Sequence, residues 1–167
     1  MKKALLIAAA LLLVVPSFAQ KMTKEEKAAQ AKAQYEGAKA VIEDKNWVII
    51  PETYDTSSGI ESNSGIDSFI SCEKGIMYSQ GSIVCANSYT NVSEPSEYTV
   101  TYDKKGNIKV KIIVRGNYWK GTYTISVRNN GNNADVIFNS QGGSTKKFSG
   151  PIVTCVGTPY NKRANPM

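Results

Sequence analysis

The chain has 167 residues, 20 Lys and Arg against 14 Asp and Glu for a net charge of +6, three cysteines and no histidine. That length supports one well-cored domain and not two. The missing histidine removes the commonest general base, the usual partner of a Ser or Cys nucleophile and the commonest metal ligand, which excludes histidine-dependent triads and histidine metal centres.

Taken in order, residues 1–19 read as a secretory signal. MKKALLIAAALLLVVPSFAQ has a basic start, an apolar run of about a dozen residues and a small-residue exit at Ser17-Phe18-Ala19, with cleavage expected before Gln20. The run is shorter than the roughly twenty residues a membrane span needs, so no stable span is expected after cleavage. A periplasmic or secreted protein is the expectation. Residues 20–46 are expected to hold a helix, because Ala, Lys, Glu and Gln dominate and Thr23 with Glu26 forms a capping box. Its apolar stripe is thin before Tyr35, Ala38, Val41 and Ile42, so the last turns are the ones expected to dock.

Residues 47–156 read as a β domain. NWVIIP is a short apolar strand closed by Pro51, and Glu52 to Gly65, rich in Ser, Thr and Gly, reads as a long loop. Ile66 to Cys72 is a strand, Glu73-Lys74-Gly75 a turn, and Ile76 to Tyr78 starts the next strand. Ala86 to Pro95 is a second long loop. From Tyr98 to Ile152 apolar residues hold one parity in each run: Ile108, Val110, Ile112, Val114; Tyr123, Ile125, Val127; Ala134, Val136, Phe138; Phe148, Ile152. Such alternation marks strands with one buried face.

The turns between these runs predict a register. Lys104-Lys105-Gly106 as a three-residue loop sets Tyr102 opposite Ile108 and Val100 opposite Val110. Gly116-Asn117 as a two-residue loop sets Val114 opposite Trp119 and Val110 opposite Tyr123. Asn130-Gly131 sets Val127 against Ala134 and Tyr123 against Phe138, and a loop over Gly142 to Ser144 sets Phe138 against Phe148. About eight strands after one helix must curl or split to cover one apolar face. The expected fold is mainly β, an antiparallel up-and-down barrel or near-barrel, with a two-sheet sandwich as the alternative. Residues 157–167, with Pro159 and Pro166, read as a disordered tail.

At this point the chain resembles the exported bacterial proteins of domain-of-unknown-function family 4251. The likeness rests on VIEDKNWVI, EKGIMY, YTVTYDKKGNIKVKIIV, TYTISVRNNGNNADVIF and FSGPI, and it covers roughly Val41 to Val153. Where the family pattern has a Leu-Pro-Tyr-aromatic-Gly run, this chain has SQGSIVCAN. The resemblance implies export and a mostly β domain; it implies no activity and no catalytic residues.

No chemistry-bearing motif stands out. Neither CxxC, P-loop nor GxGxxG occurs in context, and the nearest carboxylate pairs, Glu94 with Glu97 and Asp55 with Glu61, lie in or beside polar segments. No catalytic residue, metal site or cofactor is expected, and the chain does not read as an enzyme. Up-and-down topology would send both long loops and the Gly116-Asn117 hairpin to one pole, where small barrels bind ligands. The candidate contacts there are Tyr54, Tyr89, Tyr118 and Trp119, although the parity of Trp119 also suits a core plug. The expected function is thus an exported non-enzymatic binding module for a small apolar or glycan-like molecule. The alternative is an envelope protein-interaction domain with a filled core.

The same topology places Cys72 and Cys155 at the opposite pole, so an intramolecular disulfide would join them and leave Cys85 free; otherwise all three are small buried apolar residues. Charge is uneven: Gln20 to Asp103 holds 7 Lys against 13 acids, net −6, whereas Lys104 to Met167 holds 11 Lys and Arg against Asp135 alone, net +10. Lys109, Lys111, Arg115 and Arg128 fall on the outward parity. For an exported protein a solvated face that guards strand edges explains them better than a nucleic-acid partner.

Overall fold

The computed structural model describes residues 22–85, 87–117 and 119–163; the expected signal segment and Tyr118 lie outside them. Helix α1 spans Lys24–Glu43, and its start carries the full capping box: Thr23 Oγ1 accepts from the Glu26 N–H while the Thr23 N–H donates to the Glu26 carboxylate. The helix ends with Lys45 in the left-handed region at φ 52°, where the N–H groups of Lys45 and Asn46 cap the carbonyls of Ile42 and Val41. Only Ala38 and Ile42 are buried along it, as the thin stripe predicts.

Eleven strands follow: β1 Trp47–Ile49, β2 Thr53–Thr56, β3 Gly59–Ser62, β4 Phe69–Glu73, β5 Ile76–Gln80, β6 Asn91–Ser93, β7 Glu97–Tyr102, β8 Ile108–Arg115, β9 Lys120–Val127, β10 Asn133–Ser140 and β11 Thr145–Thr154. They form one antiparallel sheet in the order β6-β5-β4-β1-β11-β10-β9-β8-β7, curled into a half-barrel. No backbone ladder joins β6 to β7. The segment 52–65, expected as a loop, is largely the β2–β3 hairpin, which pairs with β11 through Tyr54–Phe148 and Thr53–Ser149. β1 and β2 run along the same neighbour, interrupted where Pro51 cannot donate to a ladder. The strand bends there against Gly150, at which a β-carbon would collide with the Ile50 carbonyl.

The buried parity from β8 to β11 is the predicted one, from Ile108 through Ile152. Two registers differ from expectation. β8 pairs with β9 as Val110–Ile125 and Val114–Gly121, and β10 pairs with β11 as Val136–Phe148. Each is two residues away from the expected partner, because each turn sits one residue from where the motif placed it. The β10–β11 loop is Gln141 to Gly143, closed by the Ser140 N–H on the Ser144 carbonyl, with Gly143 at φ 88°. Only that placement puts glycine at the left-handed third position. A shift of two keeps every side chain on its face, so the core is unaffected.

At the lower end of the half-barrel lie the helix and the turns 74–75, 103–107 and 128–132. Gly75 N–H bonds the Lys45 carbonyl, and the Tyr35 hydroxyl bonds the Gly106 carbonyl. The turns 57–58, 81–90, 116–119 and 141–143 lie at the upper end.

Of the tail expected to be disordered, 164–167 lie outside the described residues, and 157–163 are described. They lack regular structure but strap the outer face of β1, β4 and β5, where Val48, Phe69, Ser71 and Gln80 are fully buried. The Tyr160 ring packs on Phe69 at 4.8 Å and its hydroxyl donates to Glu73 at 2.8 Å. Lys162 reaches the same carboxylate at 2.6 Å, Gln80 donates to the Asn161 carbonyl at 2.8 Å, and the Arg163 N–H donates back to Gln80 at 2.7 Å.

The expected disulfide is not formed: Cys72, Cys85 and Cys155 are all free. Cys72 on β4 and Thr154 on β11 both face Trp47. β1 therefore stands between Cys72 and Thr154, two strand spacings or roughly 9–10 Å apart. Cys155 turns back past the end of β1 so that its Sγ meets the Cys72 carbonyl oxygen at 3.7 Å. Burial pushes the Cys72 thiol up to about 11 and raises Cys85 as well.

Two outcomes follow from this packing. A maleimide should label the native protein once, at Cys155, and the unfolded protein three times, because Cys72 and Cys85 are fully buried; mass spectrometry reads the count, and a native count of zero would reveal a bridge. Burial pushes the Glu73 carboxyl up, but hydrogen bonds from Lys162, Tyr160 and Ser71 outweigh it and leave the group below its ordinary value. A depressed carboxylate stabilises the fold above its unfolded-state range and loses that contribution as pH falls through the folded value. Glu73→Gln should therefore cost about 1 kcal/mol at neutral pH. In thermal melts the gap to the unsubstituted protein should close once the medium falls below about pH 4.

Candidate functional site

The expected pocket inside the sheet is filled at its upper end by three stacked aromatics. Tyr123 on β9 lies parallel to Phe138 on β10 at 4.3 Å and meets Trp119 edge-on at 5.8 Å. The Tyr123 hydroxyl is fully buried; it accepts from Trp119 Nε1 at 3.0 Å and from Ser79 Oγ at 3.2 Å, and donates to the Val84 carbonyl at 2.9 Å. Burial raises its pKa well above the ordinary tyrosine value, which keeps the hydroxyl protonated and donating. Residues 81–85 and 87–90 fold over this end, with Val84 and Cys85 buried.

The aromatic candidates do not converge. Trp119 is 2 % exposed with its N–H committed to Tyr123, so it is a core plug and not a contact on the rim. Tyr54 packs its ring against the core and donates its hydroxyl to Glu61 at 2.7 Å, pinning the β2–β3 hairpin. Through Phe148 and Val136 it stands level with Ile125, three strands away from β9 and six residues below Trp119. That separates the two by roughly 20 Å, too far for one small ligand. Tyr89 is 47 % exposed on the covering segment. Tyr118 lies outside the described residues.

The carboxylate pairs are dispersed too. Glu61 faces Tyr54 across the hairpin while Asp55 faces Ile60, so the two acids project from opposite sides. Glu97 is held by Lys111 at 3.1 Å.

Open space lies instead on the outer face of the upper rim. One cleft of about 540 Å³ runs over the tops of β8, β9 and β10, between Ile113, Arg115, Lys120, Thr122, Asn139 and Gln141. A second, of about 420 Å³, shares Lys120 and Gln141 with it, continues past Asn117 and Ser140 and reaches inward to Trp119 and Phe138. Both volumes fall in the range of small-molecule sites. The lining follows from strand parity, since Ile113, Arg115, Lys120, Thr122 and Asn139 alternate with the buried Ile112, Val114, Tyr123 and Phe138. Lower on the convex face three cations have acidic partners, Lys111 with Glu97, Arg128 with Asp135 at 3.6 Å and Lys147 with Asp55 at 3.9 Å, whereas Lys109 has none among the described residues. Among the described residues, Arg115 and Lys120 have none within 4.0 Å.

Of these residues the sequence reading places only Arg115 on the outward parity, as part of a solvated face, because the uneven pairing of cations with acids is set by strands far apart in the chain.

No known protein-family model matches the chain, and no curated protein is similar to it. A solved structure is: the crystal structure of a DUF4251 family protein from Bacteroides eggerthii, which superposes with a TM-score of 0.66 at 20% sequence identity, covering 77% of this chain and 91% of that one. At this identity the likeness shows a common fold. The curled β sheet with its single helix is DUF4251-like.

Proposed function

We propose that the chain is an exported, non-enzymatic binding module whose ligand is a polar, glycan-like molecule held on the outer face of the upper rim. The observation that carries this reading is the cleft of about 540 Å³ over the tops of β8, β9 and β10, joined to one of about 420 Å³ that reaches Trp119 and Phe138, while the interior is occupied by Trp119, Tyr123 and Phe138. A small apolar ligand would need that interior. A polar one needs donors facing water, and the rim supplies them. Among the described residues the Gln141 side chain has no hydrogen-bond partner, and Asn139 engages only its carbonyl oxygen, with Thr145 at 3.0 Å. The non-enzymatic part rests on thiols that burial holds protonated and on the scattered carboxylates.

A second reading, docking of an envelope protein, is favoured by one feature. Ile60 on β3 is 74 % exposed and borders a cleft of about 260 Å³ with Ile137 and Phe148. An exposed apolar side chain on a sheet edge suits a protein partner.

Native mass spectrometry on protein purified from its own envelope separates the two. The expected result is an adduct of saccharide mass on the unsubstituted chain that a Lys120→Ala, Gln141→Ala double variant lacks, with both melting at nearly the same temperature. Trp119→Ala should instead destabilise the fold by about 3–5 kcal/mol. An adduct kept by the rim variant, or a bound polypeptide in its place, would reject the rim as the site.

A further inference from the structure

The rim's side chains form an ordered array. Across the last rung stand Arg115 on β8, Lys120 on β9 and, beside it, Gln141, whose N–H donates to the Lys120 carbonyl at 2.9 Å. One rung below on the same outward face stand Ile113, Thr122 and Asn139. With strands about 4.8 Å apart and same-face residues about 6.8 Å apart, the array measures about 10 Å by 7 Å, the footprint of one or two sugar rings.

Its top row contains a conflict. Arg115 and Lys120 are direct cross-strand partners, and like charges directly opposite each other destabilise a sheet. Lys111, two positions below Arg115 on the same face, has Glu97 at 3.1 Å to offset it. The Arg115–Lys120 pair has no such acid, and it faces the larger cleft. An anion between the two cations removes the repulsion and gains charge-assisted hydrogen bonds from both, with the planar Arg fork suited to a two-oxygen acceptor. Resting on the glycan-binding reading above, we infer that the recognised saccharide is acidic. Its carboxylate or phosphate sits between Arg115 and Lys120, while Thr122, Asn139 and Gln141 meet ring hydroxyls and Ile113 meets an apolar ring face.

The test uses isothermal titration of the mature chain with paired probes: tetragalacturonate against its fully methyl-esterified form, and mannose 6-phosphate against mannose. The carboxylate or the phosphate member should bind at least about tenfold tighter than its neutral counterpart, and which one does so identifies the acid. Its affinity should fall about 10- to 100-fold in Arg115→Gln, Lys120→Gln, and weaken as sodium chloride rises past the point where the Debye length drops below about 10 Å. Both substituted side chains are outward, so the double variant should melt at or above the temperature of the unsubstituted chain. Equal binding of charged and neutral members would overturn the acidic ligand while leaving a glycan site at the rim. Tighter binding of an oligothymidylate than of either acid, or acid binding unchanged in the double variant, would overturn the inference outright.

Discussion

Two tyrosine hydroxyls, one fully buried and one partly buried, hold this half-barrel shut. The sheet does not close on itself, since β6 and β7 share no backbone ladder, so its opposing walls need another connection. Near the lower end the Tyr98 hydroxyl of β7 accepts from Trp47 Nε1 of β1 at 2.9 Å and donates to the Ile42 carbonyl at the helix end at 2.8 Å. At the upper end the Tyr123 hydroxyl of β9 joins Ser79 of β5 and the Val84 carbonyl. Each hydroxyl links strands five places apart in the sheet order. Losing either would leave buried partners unsatisfied, at a cost of about 1–3 kcal/mol each.

Closing a sheet this way has a consequence for function. Rings large enough to reach across the curl also fill it, and Trp47, Trp119, Tyr123 and Phe138 occupy the volume in which a closed barrel of similar size holds a ligand. Space for a partner is then found where strands end and their outward side chains stand free of acidic neighbours. The upper rim of β8, β9 and β10 meets both conditions, because its hairpins project past the level at which Glu97, Asp135 and Asp55 neutralise the cations below.

The aromatic side chains of this fold have two possible uses, for a physical reason. Tyr and Trp serve equally as ligand platforms and as cross-core hydrogen-bond donors, and composition does not separate the two uses. Trp119 sits next to a turn, which suggests a rim, yet its parity carries the indole inward to Tyr123. The rim cations had the opposite fate. Their parity announced exposure, but exposure alone is ordinary, and only the positions of Glu97, Asp135 and Asp55 in space show which cations are left without a counter-charge.

What the chain's local pattern determined was which face each residue takes. Period-two alternation and glycine-bearing turns are short-range properties, and they placed every core residue of β8 to β11 on the correct side even where two turns moved by a residue, since such a move shifts the register by two and leaves parity intact. The helix cap was legible on the same grounds. Tertiary structure alone decided how the curl is sealed, that residues 157–163 lie over Phe69 and Gln80, and that Cys155 turns back past the end of β1 to meet Cys72. Each of those outcomes depends on contacts between residues some forty to ninety positions apart. No periodicity within a strand or helix carries information about such contacts.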